Sequence, residues 1–217
     1  MLGDADLILW VGPMLEQPLA GLVRGLDSET VTVQDLPGLV LHTVDGEFDP
    51  HVWVDTRNAR LIAAALGEAL AQLDPMNAER YRGNVATFDE TLQRLSSDIA
   101  TKLERGRARD WAVYHHALRY LEQEFSLRAP ITLADSENNA PGIRTALRVR
   151  EQLQQGSINC MLTEPGINHD EVLTMLNVPS LRMVDVDVMG LAAGAIDYVS
   201  YMQHIATTVA ACVEPAP

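Results

Sequence analysis

Six histidines, two cysteines and thirty carboxylate side chains set the chemistry open to this chain. His115 closes the apolar run Trp111-Ala112-Val113-Tyr114, and Glu164-Pro165-Gly166 comes just after Asn159-Cys160-Met161-Leu162. Asp185 and Asp187 straddle Val186 in an apolar stretch, where strand geometry would put both on one side. His51 lies in Asp49-Pro50-His51-Val52-Trp53, where a stiff proline turn would aim the ring and Trp53 would anchor the backbone. A neutral imidazole at a strand end, its other nitrogen held, is a good zinc ligand. A buried carboxylate is costly unless a cation or donors meet it. The chemistry these residues allow is coordination of a small cation. Each also has a plainer reading: His115 satisfying a loop, Glu164 in an ion pair or helix-start contact, the aspartates capping a turn. His42 falls in a loop, His116 opens the next helix, and His169 and His204 fall on helices as surface residues.

Other chemistries find less support. The sequence contains no HExxH and no nucleophile elbow, and no carboxylate is clearly placed as a general base, so an enzyme is not expected. Cys160 and Cys212 are too few for a four-thiolate site and are not spaced as CxxC. They are either one disulfide or two buried thiols. A net charge of -14 argues against a nucleic-acid surface or anionic lipid and favours small cations. No apolar run reaches the roughly 18 residues of a membrane span, and the first residues have no basic leader region or cleavage site. The expectation is a cytosolic protein, or one whose export signal lies outside this sequence.

The elements that must position these residues follow from periodicity. Tyr81, Val85, Phe88, Leu92, Leu95, Ile99 and Leu103 recur at steps of three and four, which predicts one helix over about 77–105. At ~1.5 Å per residue it reaches about 43 Å, long enough to join two bodies. Residues 7–11 read as a strand buried on both faces, 14–26 as a helix, 30–33 as a strand and 36–47 as a loop. Asp55 suits the N-cap of a helix over 56–73. Beyond the long helix, strands are predicted at 111–114, 131–133, 159–162 and 181–184. Helices are predicted at 116–125, from Pro141 to 155, at 168–176, and from Ala195 or Asp197 to 212. Alternation without hairpin signals implies an α/β fold with two parallel-sheet lobes. The expected divisions are an N-terminal lobe over 1–76, the linking helix over 77–108 and a C-terminal lobe over 109–217. Ligands in such sheets bind beyond the carboxyl ends of the strands, where His51, His115, Glu164 and Asp187 fall.

Taken in order, several segments resemble the metal-specific solute-binding proteins that deliver zinc or manganese to ABC importers, most closely the zinc branch. They are Ala5-Asp6-Leu7-Ile8-Leu9-Trp10-Val11-Gly12-Pro13 with Leu15-Glu16, Asp49-Pro50-His51-Val52-Trp53 with Asn58-Ala59, Val113-Tyr114-His115 with Ala117 and Tyr120, Glu164-Pro165, and Asp187 with Gly190. The resemblance implies a metal held between two lobes set apart by a rigid helix, with His51 and His115 as ligands and Asp187 matching an aspartate that is a ligand in manganese-type members and lies beside the metal in zinc-type ones; His51, His115 and Asp187 are taken as the expected metal residues. It implies a Cys160–Cys212 disulfide, and hence an oxidising, extracytoplasmic or periplasmic compartment. Zinc fits nitrogen-rich four-coordinate sites and manganese prefers more oxygen, and two histidines with one aspartate do not decide between them; the resemblance to the zinc branch makes Zn2+ the expected ion and Mn2+ the less expected one.

Two departures shape the expectations. The chain begins at about the family's second strand, without the opening strand and first metal histidine, so the first lobe is expected to be incomplete. His116 stands where the family usually has Asp, and Gly166 where it usually has Gln. His42, His116 and Glu164 are the candidates for an additional ligand. The reading is a zinc-capturing protein that hands its ion to an ABC permease, or a shortened form with a weakened site. The alternative is an interaction protein without metal transport that self-associates through its incomplete first lobe.

Overall fold

Short apolar runs alternating with amphipathic stretches fold as α/β units with parallel sheets in this computed structural model, which describes residues 2–44, 46–134, 141–155, 158–191 and 197–213. The chain divides into two compact units, Met1–Ser96 and Ser97–Pro217, and the division falls within one continuous helix. No helix among the described residues is long and apolar enough to cross a membrane.

In the first unit, strand β1 (Leu7–Trp10) pairs in parallel with β2 (Glu29–Thr32), Leu7 opposite Glu29. Between them, the single helix expected over 14–26 is broken into α1 (Pro13–Glu16), a 3-10 turn at Gln17–Leu19 and α2 (Ala20–Val23). Pro18 is the reason: it has no N–H to donate and its ring crowds the preceding turn. Burial of β1 on both faces is also not found. Ile8 is buried, but Leu9 is 43% exposed, because complete burial needs a layer on each side of the sheet.

The expected loop over 36–47 contains a small antiparallel hairpin, β3 (Thr43–Val44) with β4 (Glu47–Phe48). Gly46 adopts a positive φ of 88° in its turn. The Asp45-Gly46 pair was a legible hairpin signal, so this alternation does include a hairpin.

Helix α3 (Thr56–Leu73) begins where its cap predicts. Asp55, wholly buried, accepts from the N–H groups of Arg57 and Asn58, satisfying two of the unpaired donors at the helix start. It packs against β1 and β2. Helix α4 (Ala78–Leu103) follows, within the range predicted by its apolar steps. Leu92, Leu95, Ile99 and Leu103 are almost completely buried. Gly67 of α3 faces Val85 of α4 so closely that a Cβ there would collide with the stiff valine side chain. Arg60 of α3 also forms a two-pronged pair with Asp89 of α4. The Arg60 bond, aided by Gln93, holds the Asp89 carboxyl below its ordinary pKa. This surface contribution is present above the ordinary carboxylate pKa and is lost as pH falls through the lowered value.

The second unit carries a four-stranded parallel sheet in the order β6-β5-β7-β8. Its elements are β5 (Ala112–His115), α5 (Arg119–Phe125), β6 (Ile131–Ala134), α6 (Ile143–Gln155), β7 (Cys160–Thr163), α7 (His169–Leu176), β8 (Arg182–Asp185) and α8 (Tyr198–Val213). The expected alternative start of the last helix at Ala195 lies outside the described residues. Helix α6 packs against β6, and α8 against β7 and β8. Met161 and Leu162, adjacent on β7, are both buried, so this strand is covered on both faces as its apolar run predicts. Each contributes about 1.5–3 kcal/mol by burial. Helix α5 starts three residues later than expected, leaving His116 in the preceding turn. The Cys160–Cys212 disulfide joins β7 to α8 across a Cα separation of 5.4 Å.

Candidate metal centre

In the first unit, His51 is held by its own chain. Asp49 is 4% exposed at its side chain, and its Oδ1 accepts both the main-chain N–H of His51, at 3.0 Å, and ring Nδ1, at 2.7 Å. Pro50 stiffens the link, and a 3-10 turn (Val52–Val54) follows with Val52 and Val54 wholly buried. Trp53 places its ring 5.5 Å from the imidazole, tilted by 56°. Asn58, buried within α3, donates to the carbonyls of Val40 and Val52 and accepts from the Val40 N–H. That amide ties the loop before the hairpin to the His51 turn. His42 belongs to the same loop, is half-buried, and its carbonyl accepts from the Asp49 N–H at 2.9 Å.

The bond between Asp49 and ring Nδ1 sets the tautomer of His51. With Nδ1–H donating to the Asp49 carboxylate, the lone pair of the neutral ring lies on Nε2. Sequence reasoning noted Asp49 only as part of a segment and missed this role. The available signal was an aspartate two residues before the histidine, the spacing at which Asp side chains bond back to the following backbone.

In the second unit, sheet register explains the pairing. Ala112 lies opposite Met161 and Val113 opposite Leu162. Continued for two residues, that parallel register brings His115 opposite Glu164 at the carboxyl ends of β5 and β7. Ring Nδ1 of His115 is 3.3 Å from Glu164 Oε1, with side-chain exposures of 14% and 11%. The Glu164-Pro165-Gly166 turn is closed by the Ile167 N–H on the Glu164 carbonyl, with Gly166 at φ 100°. Burial, and then the Glu164 charge, push the Tyr114 phenol above its ordinary pKa. The Glu164 carboxylate lies beside the His115 ring at ion-pair distance.

The other candidates are placed differently. Strand β8 stops at Asp185, and Asp187 occupies the apex of a tight turn closed by the Val188 N–H on the Val186 carbonyl. The strand expected to carry both Asp185 and Asp187 therefore ends before Asp187. Asp187 is half-buried between buried Val186 and Val188, and the Tyr201 hydroxyl donates to the Val188 carbonyl, anchoring the turn to α8. His116 is buried, its Nε2 2.8 Å from Glu122 Oε2 on α5, while Gln123 donates to the other Glu122 oxygen. His204 is exposed as expected. His169 is not merely a surface residue, since it bonds to Thr163 and Asp185. Among the described residues, no three His, Cys, Asp or Glu side chains are already grouped as a metal cage. The first unit instead pairs His51 with Asp49, and the second pairs His115 with Glu164, His116 with Glu122 and His169 with Asp185.

Known proteins share this arrangement of sequence and fold. The high-affinity zinc uptake system protein ZnuA of Brucella abortus (strain 2308) is 26% identical over 170 residues, covering 77% of this chain and 51% of that protein. The chain thus spans about half the length of that relative. ZnuA of Yersinia pestis is 21% identical over 245 residues, covering 98% of this chain and 77% of that protein. The periplasmic zinc-binding protein TroA from Treponema pallidum superposes with a TM-score of 0.82 at 19% identity, covering 99% of this chain and 83% of its own, which shows a shared fold. Residues 1–212 match the family model of the periplasmic component A of the zinc-uptake complex, and the chain belongs to that family.

Proposed function

We propose that this chain is an extracytoplasmic zinc-binding protein that captures Zn2+ through His51, His115 and Asp187 and passes it to an ABC permease. The observation that carries the reading is the imidazole–carboxylate pair in each unit, His51 with Asp49 and His115 with Glu164. The Asp49 bond to Nδ1 of His51 leaves that ring's lone pair on Nε2, one of the two nitrogens through which histidine binds metal. The names of the relatives supply the cargo, since ZnuA and TroA are both described by zinc. A disulfide agrees with an oxidising compartment such as the periplasm.

The activity is coordination, with water completing the ion's shell and no bond made or broken in the protein. Glu164, already beside His115, is the best placed additional oxygen donor. His42 is a further candidate, while His116 is engaged by Glu122. Zinc suits two nitrogens with one or two oxygens, and manganese would require more oxygen. The net charge of -14 draws cations toward the chain.

Competitive titration with a zinc chelator tests this directly. One zinc per chain is expected, binding more weakly as pH falls because protons compete for the two imidazoles. Binding no stronger than that of the denatured chain would overturn it. Exposed Leu9, Leu19 and Leu22 in the first unit favour the second reading, a self-associating chain without metal transport. A dimer that binds no zinc is its signature.

A further inference from the structure

We propose that His169 is a positioning residue for the acidic groups of the second unit's half-site, an inference that rests on the zinc-binding reading above. Three element ends meet at its ring. Thr163 is the last residue of β7 and is wholly buried, Asp185 is the last of β8, and His169 is the first of α7. The Thr163 hydroxyl donates to Asp185 Oδ1 at 2.7 Å. His169 Nε2 lies 2.8 Å from that same oxygen and 3.0 Å from Thr163 Oγ1, so one N–H is shared between them. The Val186 N–H also donates to the Thr163 carbonyl at 2.7 Å.

The consequence is local to the proposed ligands. Glu164 follows Thr163 and begins the connector to α7, so the Thr163–His169 contact closes that connector into a short loop with Glu164 inside it. Asp187 lies two residues beyond Asp185, so the same imidazole also holds the strand end from which the Asp187 turn departs. His169 touches neither proposed ligand; it fixes the two segments that carry them. Its side chain is 34% exposed and that of Asp185 48%, so removing the ring opens no core cavity. Loss of position is then separable from loss of fold.

The test compares His169→Ala, His169→Gln and, as a control on an exposed helical histidine, His204→Ala. Three readouts are taken on the full chain: zinc affinity by chelator competition, the visible spectrum of bound Co2+, and the thermal unfolding midpoint. His169→Ala is expected to weaken zinc about tenfold, at the low end for residues that orient ligands, and to change the intensity of the Co2+ bands. Its unfolding midpoint should stay close to that of the parent. The amide nitrogen of glutamine can replace Nε2, so His169→Gln should recover most of both properties, and His204→Ala should match the parent throughout. Unchanged affinity and spectrum in His169→Ala would overturn the positioning role while leaving zinc binding intact. A loss of affinity matched by a large fall in the unfolding midpoint in both His169 variants would also overturn it. If the parent chain binds no zinc, the proposed function falls and this role falls with it.

Discussion

Replacing either His51 or His115 by alanine should weaken zinc binding by roughly 100- to 1,000-fold. Structural zinc is held with about 10–16 kcal/mol by four ligands, so one imidazole carries on the order of 2.5–4 kcal/mol. Each ring is largely buried, with 12–14% of its side chain exposed, so a fall in stability of about 1–3 kcal/mol is expected beside the loss of affinity. The double variant should bind no better than a chain without a site, because one carboxylate cannot hold zinc against water. Chelator competition on the three variants, with unfolding midpoints as the control, measures this. Parent-like affinity in both single variants would show that the ion is held elsewhere.

Loss of the disulfide should have the largest effect on stability. Cys160 and Cys212 are 52 residues apart, and the chain-entropy model assigns about 4 kcal/mol to closing a loop of that length, within a usual range of about 2–5. Both sulfurs lie in the core of the second unit, at 1% and 4% residue exposure, so replacement by alanine adds a packing loss to the entropic one. The double alanine variant should unfold on the order of 10 °C or more below the parent. Thermal unfolding followed by circular dichroism, with and without reductant, measures the shift. A parent whose midpoint is insensitive to reductant would contradict the assignment.

The regular elements were legible where sequence signals are local. Asp55 announces α3, and steps of three and four announce α4, because capping and amphipathicity are decided within a few turns. The misreadings arose where one residue overrides its surroundings or where a distant layer decides. Pro18 breaks a helix whose apolar face looks continuous. Leu9 has the composition of a doubly buried strand, but its burial depends on a layer that its own sequence cannot report. His51 and His115 stood out by position after a stiff turn and a buried strand, whereas of their carboxylate partners only Asp49 carried a local signal, its spacing from His51. Asp49 needs the turn to fold back, and Glu164 needs β5 and β7 to pair in one register. The His116–Glu122 pair and the His169 clasp are likewise products of packing, and no spacing rule would have joined them.

The central claim is that His51, oriented by Asp49, and His115, beside Glu164, are zinc ligands. Anomalous diffraction at the zinc edge from crystals of the zinc-loaded chain tests it most directly. The account predicts one strong peak per chain, about 2.0–2.1 Å from Nε2 of both histidines and within coordinating distance of a carboxylate of the second unit. A peak away from both imidazoles, or bonded to Nδ1 with the carboxylate pairs broken, would contradict it.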